Sequence, residues 1–316
     1  MIITMKDTET NEISAKLNDL HEERGEAVLG RVLTLVIMTD EDNLEESLRL
    51  ANEASREHPC RVIAIAPSTR TVTKEEHDAG TATFLDAEVR IGADAGAGEI
   101  IVLRPRGGLV HHEDTLVIPL LVPDAPVVAW WPTEAPANPS RNRLGAMATS
   151  RITDAQRSSN PMRTMEDLRR NMSSKNVDMS WTRLTVWRAM LASLLDQPPH
   201  LPIKSVRVTG PENFLPMDLL AAWLRLCLNV PVVLETEPEA TAVTGVYMTR
   251  DDGVVSLERR PADQGLATVN VPGQSPQAIP VPTRTLEECL SEELGRLYPD
   301  EIYREVITKG WDLIHP

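Results

Sequence analysis

The order of apolar and polar positions divides the chain into segments of two different periods. Residues 31–38, RVLTLVIM, form an unbroken apolar and β-branched run, the pattern of a parallel strand covered on both faces. Ahead of it, Ile13, Leu17, Leu20 and Arg24 fall on one face of a short helix. Behind it, Leu44, Leu48, Ala51 and Ser55 mark the inner face of a second helix, and 61–66, RVIAIA, returns as a second strand. Asp42, followed three residues on by Glu45, has the spacing of a capping box for that helix. Strand, helix and strand make a βαβ unit, right-handed by default. Farther along, 81–91 alternates like a strand at a sheet edge and 99–104 reads as a buried strand. A short helix follows at 112–121, and 126–132, PVVAWWP, is a strand ended by Pro132. These elements predict an N-terminal α/β domain over residues 1–150, a βαβ-based sheet with helices on its faces.

The second half is richer in helix. Residues 178–196, DMSWTRLTVWRAMLASLLD, are its strongest helical stretch, and Leu184, Trp187, Leu191, Leu194 and Leu195 share one stripe of it. A second βαβ-like unit is expected from strand 205–210, helix 216–228 and strand 230–235. Leu219, Leu220, Trp223, Leu226 and Cys227 leave that helix almost no polar face, so deep packing is expected. Short antiparallel strands are expected at 241–250, 252–259 and 266–271, with Asp251-Asp252-Gly253 as a hairpin turn. Residues 261–282, rich in Pro, Gly and Gln, read partly as loop, and helices at 286–297 and 300–309 close the pattern. The fold class is therefore α/β: two α/β domains, the second (151–316) of α+β type, with a βαβ-like unit plus antiparallel strands.

Composition narrows the function. The 316 residues suit two domains of ordinary size. Acidic residues outnumber basic ones 47 to 32, a formal charge of −15, which argues against nucleic acid or an anionic membrane as partner. No apolar run approaches the ~20 residues of a membrane span. The opening MIITMKDTETNEIS lacks the basic-then-apolar pattern of a signal peptide. Cys60, Cys227 and Cys289 lie far apart with no CxxC pair, as in a reduced cytoplasmic protein. The aromatic set is inverted, with six Trp against two Phe and three Tyr.

Catalytic motifs fail most checks. There is no GxxxxGK[ST] phosphate loop, GxSxG elbow or HExxH helix. Gly92, Gly96 and Gly98 precede a strand, where a dinucleotide loop opens a helix, so no cofactor is expected from them. His111-His112-Glu113-Asp114 is not a metal site by geometry, because adjacent helical residues point ~100° apart. Asp40 and Asp42 follow the first strand, where open α/β sheets bind ligands, although capping accounts for both. Gly210-Pro211-Glu212-Asn213 sits in the equivalent place after a later strand and is most simply a turn. Asp40, Asp42, Gly210 and Asn213 thus define an alternative reading, a sugar-phosphate-binding enzyme or metabolite sensor.

The sharpest constellation is 181–188, WTRLTVWR. Arg183 and Trp187 stand at i and i+4, so a guanidinium is expected over an indole, and Trp with flanking Arg is the composition of an interface hot spot. Core packing with Arg stems along its sides is the plainer reading. Trp130 and Trp131 face opposite sides of their strand, and at least one is expected in the core.

Three blocks, 116–132 (LVIPLLVPDAPVVAWWP), 151–155 (RITDA) and 178–188 (DMSWTRLTVWR), in that order, closely resemble the OpcA family of glucose-6-phosphate dehydrogenase assembly proteins. The likeness runs from about residue 30 to the closing helices. It implies a non-catalytic cytoplasmic partner of glucose-6-phosphate dehydrogenase that supports the active oligomer and NADPH production in the oxidative pentose phosphate pathway. It assigns no catalytic residues. The thiol control linked to some relatives finds no evident cysteine pair here. On their polar and aromatic composition, Arg151, Asp154, Trp181, Arg183, Trp187 and Arg188 are the expected contact or effector residues.

Overall fold

The computed structural model describes residues 1–24, 32–67, 84–92, 98–259 and 265–315. Arg31, residues 81–83, Gly96 and residues 261–264, which figure in the sequence pattern, lie outside the described residues. The first sheet contains β1 (Ile2–Met5), β2 (Leu33–Met38), β3 (Cys60–Ile65), β4 (Leu85–Ile91), β5 (Glu99–Pro105), β6 (Val127–Trp131), β7 (Ser150–Thr153) and β8 (Asn176–Asp178). Their spatial order is β1-β4-β5-β3-β2-β6-β7-β8. From β5 to β8 every pairing is parallel, while β4 and β1 add antiparallel strands at one end. The β4 segment is therefore one strand in from the edge, because β1 covers it. Strand membership runs to Asp178, past the boundary at 150 expected from the sequence.

The sheet has two apolar faces, and the period of two assigns its residues to them. Leu35, Ile37, Val62, Ala64, Val128 and Trp130 belong to one packed cluster, whereas Val36, Ile63, Ile65, Ala129 and Trp131 belong to the other. Both indoles are thus core, on opposite sides. Ile13, Leu17 and Leu20 of α1 (Thr10–Arg24) help to cover the Trp131 face. So do Leu116 and Val117 of α3 (Glu113–Val117) and Leu144 of α4 (Arg143–Met147). On the Trp130 face, α2 (Leu44–Ser55) buries Leu44, Leu48 and Ala51, and α5 (Pro161–Arg170) buries Met165 and Leu168. The expected capping box does not form. Asp42 is exposed, and Asn43 is the N-cap without a side-chain bond. Asp40 takes over the turn instead, accepting from the Asn43 backbone N–H at 2.9 Å and from its side-chain amide.

The second sheet is built from β9 (Ser205–Gly210), β10 (Val232–Thr236), β11 (Gly245–Arg250), β12 (Gly253–Glu258), β13 (Leu266–Asn270) and β14 (Gln277–Pro280). They lie in the order β10-β9-β11-β12-β13-β14. Parallel β9 and β10 flank α8 (Leu215–Leu228), the expected βαβ unit, and the remaining pairs are antiparallel. In α8, Leu219 and Leu220 are buried, but Cys227 is exposed and Trp223 half-buried, so one face of this helix is wetter than its composition implies. The stretch 178–196 is two helices, α6 (Met179–Thr182) and α7 (Thr185–Leu195). Two helices close the described chain, α9 (Leu286–Gly295) and α10 (Glu301–Glu305), the second continued by a π turn at Val306–Gly310.

One packed cluster joins both sheets, running from Trp130 through Trp181 to Val246 and Leu290. The late helix α9 seals it by lying on the early helix α2, tied by ion pairing of Arg49 with Glu287 and by a hydrogen bond from Ser291 to Glu57. Within the first sheet, Gly98 precedes β5 because the chain there touches the neighbouring strand: a Cβ would lie 2.2 Å from the Cys60 carbonyl oxygen. That close approach accounts for one glycine of the 92–98 run. We expect Gly98→Ala to lower stability by about 1–3 kcal/mol in urea unfolding through overpacking at the β3–β5 pair.

Candidate functional site

Several of the polar and aromatic residues expected to act at a contact or effector site converge where the C-terminal ends of β7 and β8 meet α6. Asp178 ends β8 and is wholly buried. Its carboxylate caps α6 by accepting from Ser180 N–H at 2.9 Å, and accepts from Thr153 Oγ1 at 2.6 Å and Ala155 N–H at 2.8 Å. One side chain thereby fixes two strand ends and a helix start. Next along the chain from β7, Asp154 is 1% exposed and receives both Arg183 Nη atoms at 2.8 Å. Burial pushes the Asp154 carboxyl upward, and the two-pronged guanidinium contact opposes that rise.

Arg183 reaches Asp154 from the point at which the helix breaks, between α6 and α7. Leu184 N–H bonds Trp181 O at 3.0 Å, a tightened turn. The Thr182 carbonyl, released from the α-helical ladder, accepts instead from Thr185 Oγ1 and Arg284 Nη1, each at 3.0 Å. The expected stacking of Arg183 on Trp187 is replaced by two others. Arg188 lies 3.7 Å above the Trp181 ring, and Arg259 lies 5.5 Å from that of Trp187. The continuous-helix geometry that paired 183 with 187 does not survive the break.

Trp181 is fully buried, donates from Nε1 to Asp300 at 3.0 Å and packs against Tyr303. Arg188 has burial as its main influence, which pushes its guanidinium down to about 10, and its Nη2 donates to Thr185 Oγ1 at 3.2 Å. Thr182 Oγ1 donates to Glu293 at 2.7 Å across to α9. Burial raises Glu293 to about 7, the Thr182 bond acting against it. Arg151, also buried, bonds Asn176, the Gly145 and Ala148 carbonyls and Ser173, and so pins β7 to β8 and to α4. The structure therefore brings Asp154, Trp181, Arg183, Trp187 and Arg188 into one junction, with Arg151 at the far end of β7. Their aromatic rings are inside it. Asp40 follows β2 of the first sheet, whereas Gly210 ends β9 of the second and lies against Met217, Ala242 and Val243; exposed Asn213 is a left-handed turn at φ 54°.

Sequence reasoning passed over Asp178, Thr182, Arg284, Glu293 and Asp300. Asp178 and Asp300, each an acid immediately before a helical run, carry a readable capping signal, and Asp300 does cap α10 by accepting from Tyr303 N–H at 2.8 Å. His112 Nδ1 lies 3.3 Å from Arg143, and among the described residues no three His, Cys, Asp or Glu side chains are grouped to hold a metal ion. All three cysteines are free, Cys60 and Cys289 buried and Cys227 exposed. No helix among the described residues is long and apolar enough to cross a membrane.

Two measurements probe this junction. Arg183→Ala should cost about 3–5 kcal/mol, because it strands a buried carboxylate, and a double-mutant cycle with Asp154→Ala should return a large coupling. Glu293 keeps its proton in the fold to about pH 7 but only to about 4.5 when unfolded. The folded state then binds the extra proton between these values, so its stability falls as pH rises through that window. Glu293→Gln should match the parent protein near pH 5 and exceed its stability at pH 8 by about 2 kcal/mol in thermal or urea melts.

Residues 51–170 match the family described as the glucose-6-phosphate dehydrogenase subunit N-terminal domain, and residues 174–307 match the corresponding C-terminal domain. A Nostoc punctiforme protein that carries the name OxPP cycle protein OpcA is 25% identical over 155 residues, 48% of this chain and 33% of that protein. The match thus spans about a third of that relative's length. Among solved structures, an oxidoreductase from Sinorhizobium meliloti aligns at 9% identity with a TM-score of 0.49, covering 90% of this chain and 95% of that one. The biliverdin reductase of Synechocystis sp. PCC 6803, in complex with biliverdin and NADP+, aligns at 11% identity with a TM-score of 0.43, covering 90% and 98%. Likeness at those scores carries no functional argument. The two domain matches together take in every element of the Asp154–Arg183 junction, and on them the chain belongs to the OpcA family of glucose-6-phosphate dehydrogenase subunits.

Proposed function

We propose that this chain is a non-catalytic, cytoplasmic assembly and activation partner of glucose-6-phosphate dehydrogenase. It stabilises the active oligomer of that enzyme and so supports NADPH production in the oxidative pentose phosphate pathway. The observation that carries this reading is that both halves of the chain match domains described as parts of a glucose-6-phosphate dehydrogenase subunit. The name of the Nostoc punctiforme relative points to the same pathway.

The mechanism is linkage. A partner that binds the active dehydrogenase better than the inactive one shifts the population by that difference in affinity, and a 100-fold preference supplies about 2.7 kcal/mol. Preorganisation favours such a role, because a surface already rigid loses less entropy on docking. In this reading Arg151, Asp154, Trp181, Arg183, Trp187 and Arg188 act from within. They hold strand ends and helices in register, and the outer faces of those elements meet the dehydrogenase.

Purified dehydrogenase mixed with this chain should form NADPH faster and run as a heavier species in light scattering, while the chain alone turns over nothing. A complex of unchanged rate would reduce the role to a scaffold. Unchanged rate and unchanged mass would remove the proposal.

A further inference from the structure

The junction has a second side. Beside the helix break lies a cavity of about 140 Å³, lined by Trp187, Phe214 and Val243 and by Arg183, Arg259 and Arg284. A second hollow of about 150 Å³ adjoins it, sharing Thr241, Ala242, Arg259 and Thr283. Among the described residues no carboxylate lines either one. In a chain of formal charge −15, three arginines around a hollow with no acidic lining residue among those described are a concentration of the rarer sign.

The three arginines differ in how they are held. Arg183 is neutralised by Asp154 and Arg284 by Glu292, so both are fixed in place. Arg259 forms no ion pair among the described residues, although it is only 8% exposed. Its Nη atoms donate to the Val281 carbonyl at 3.1 Å and the Val243 carbonyl at 2.9 Å. Those contacts aim the guanidinium without bringing a negative charge to it, and the π face of Trp187 supplies only a partial one. Burial accordingly pushes Arg259 below the usual guanidinium range, the cost of a cation held without its counter-charge.

We propose that this hollow is a binding site for a phosphate group, free or carried on a small molecule. A tetrahedral oxyanion completes the ion pair that Arg259 lacks and takes further charge-assisted donors from Arg183 and Arg284. The Thr241 and Thr283 side chains in the wall suit its remaining oxygens, and Trp187 and Phe214 offer an apolar surface to a carbon skeleton. The walls come from α7, the end of β12 and the segment leading into α9, so an occupant bridges the elements that the junction joins. The site stands independently of the dehydrogenase reading.

Two probes test it, inorganic phosphate and glycerol 3-phosphate, titrated into the full chain at constant ionic strength. Binding is followed by calorimetry and by tryptophan fluorescence, which Trp187 in the wall should report. Saturable binding is expected, competed by sulfate and not by chloride; the tighter of the two probes says whether the group is free or esterified. Arg259→Gln should weaken binding by about tenfold or more, the loss of a charge-assisted contact. Ala242→Leu fills the hollow without changing any charge and should abolish binding while circular dichroism stays that of the parent. If Arg259→Gln fails to fold, Ala242→Leu alone decides. Absence of saturation by both probes, or a folded Ala242→Leu variant that binds as the parent does, would overturn the proposal.

Discussion

The contact of Arg183 with Asp154 is the constraint on which the rest of the junction depends. A buried ion pair adds little net stability over apolar side chains of the same volume, since desolvation offsets most of the attraction. What it specifies is direction. With Asp154 fixed behind β7, the guanidinium has one place to go, and the backbone between α6 and α7 turns to allow it. The turn exposes the Thr182 carbonyl, Arg284 takes it, and Arg284 also holds Glu292 on α9. Through that relay one carboxylate near the end of a strand governs where a helix more than a hundred residues later sits.

The distribution of charge follows the same logic. Arg61, Arg151, Arg250 and Arg259 are all buried, several of them on backbone carbonyls. Buried acids accompany them, Glu99, Asp154, Asp178 and Glu293 among the described residues, so the interior holds charge of both signs. Arginine suits this use because its guanidinium presents five donors in a fixed plane and stays charged at reduced hydration. Lysine at the same places would offer a point charge without the plane that spans two carbonyls.

Much of this was legible in the chain. Unbroken runs such as 61–66 announced doubly covered strands, and the alternation of β4 was plain. The Trp130-Trp131 pair announced opposite faces, and both proved to be core. Strands of three or four residues, β1, β7, β8 and β14, left too few positions to show a period. The break at Arg183 was hidden for a different reason. Its cause, Asp154, lies far away in sequence, and local propensity favours a continuous helix across 178–196. Asp42 and Glu45 had the spacing of a cap, yet Asp40 reached the Asn43 turn instead, a competition between neighbouring carboxylates that spacing alone does not rank. The junction acids on α9 carried no signal because they look like any solvated helix charges until Thr182, Thr185 and Arg284 meet them.

The docking of α9 on α2 has a consequence in time. Helix α2 packs on the face of the first sheet that holds β2 and β3, and a helix that ends at Gly295 lies against it in turn. During synthesis the early sheet can pair and twist while the side of α2 that meets this helix still faces water. Completion waits on the last part of the described chain, since contacts of high sequence separation are made late and carry the largest closure entropy. A polypeptide released before α9 would carry an uncovered apolar seam beside a nearly finished sheet, the kind of surface that chaperones hold and proteases find.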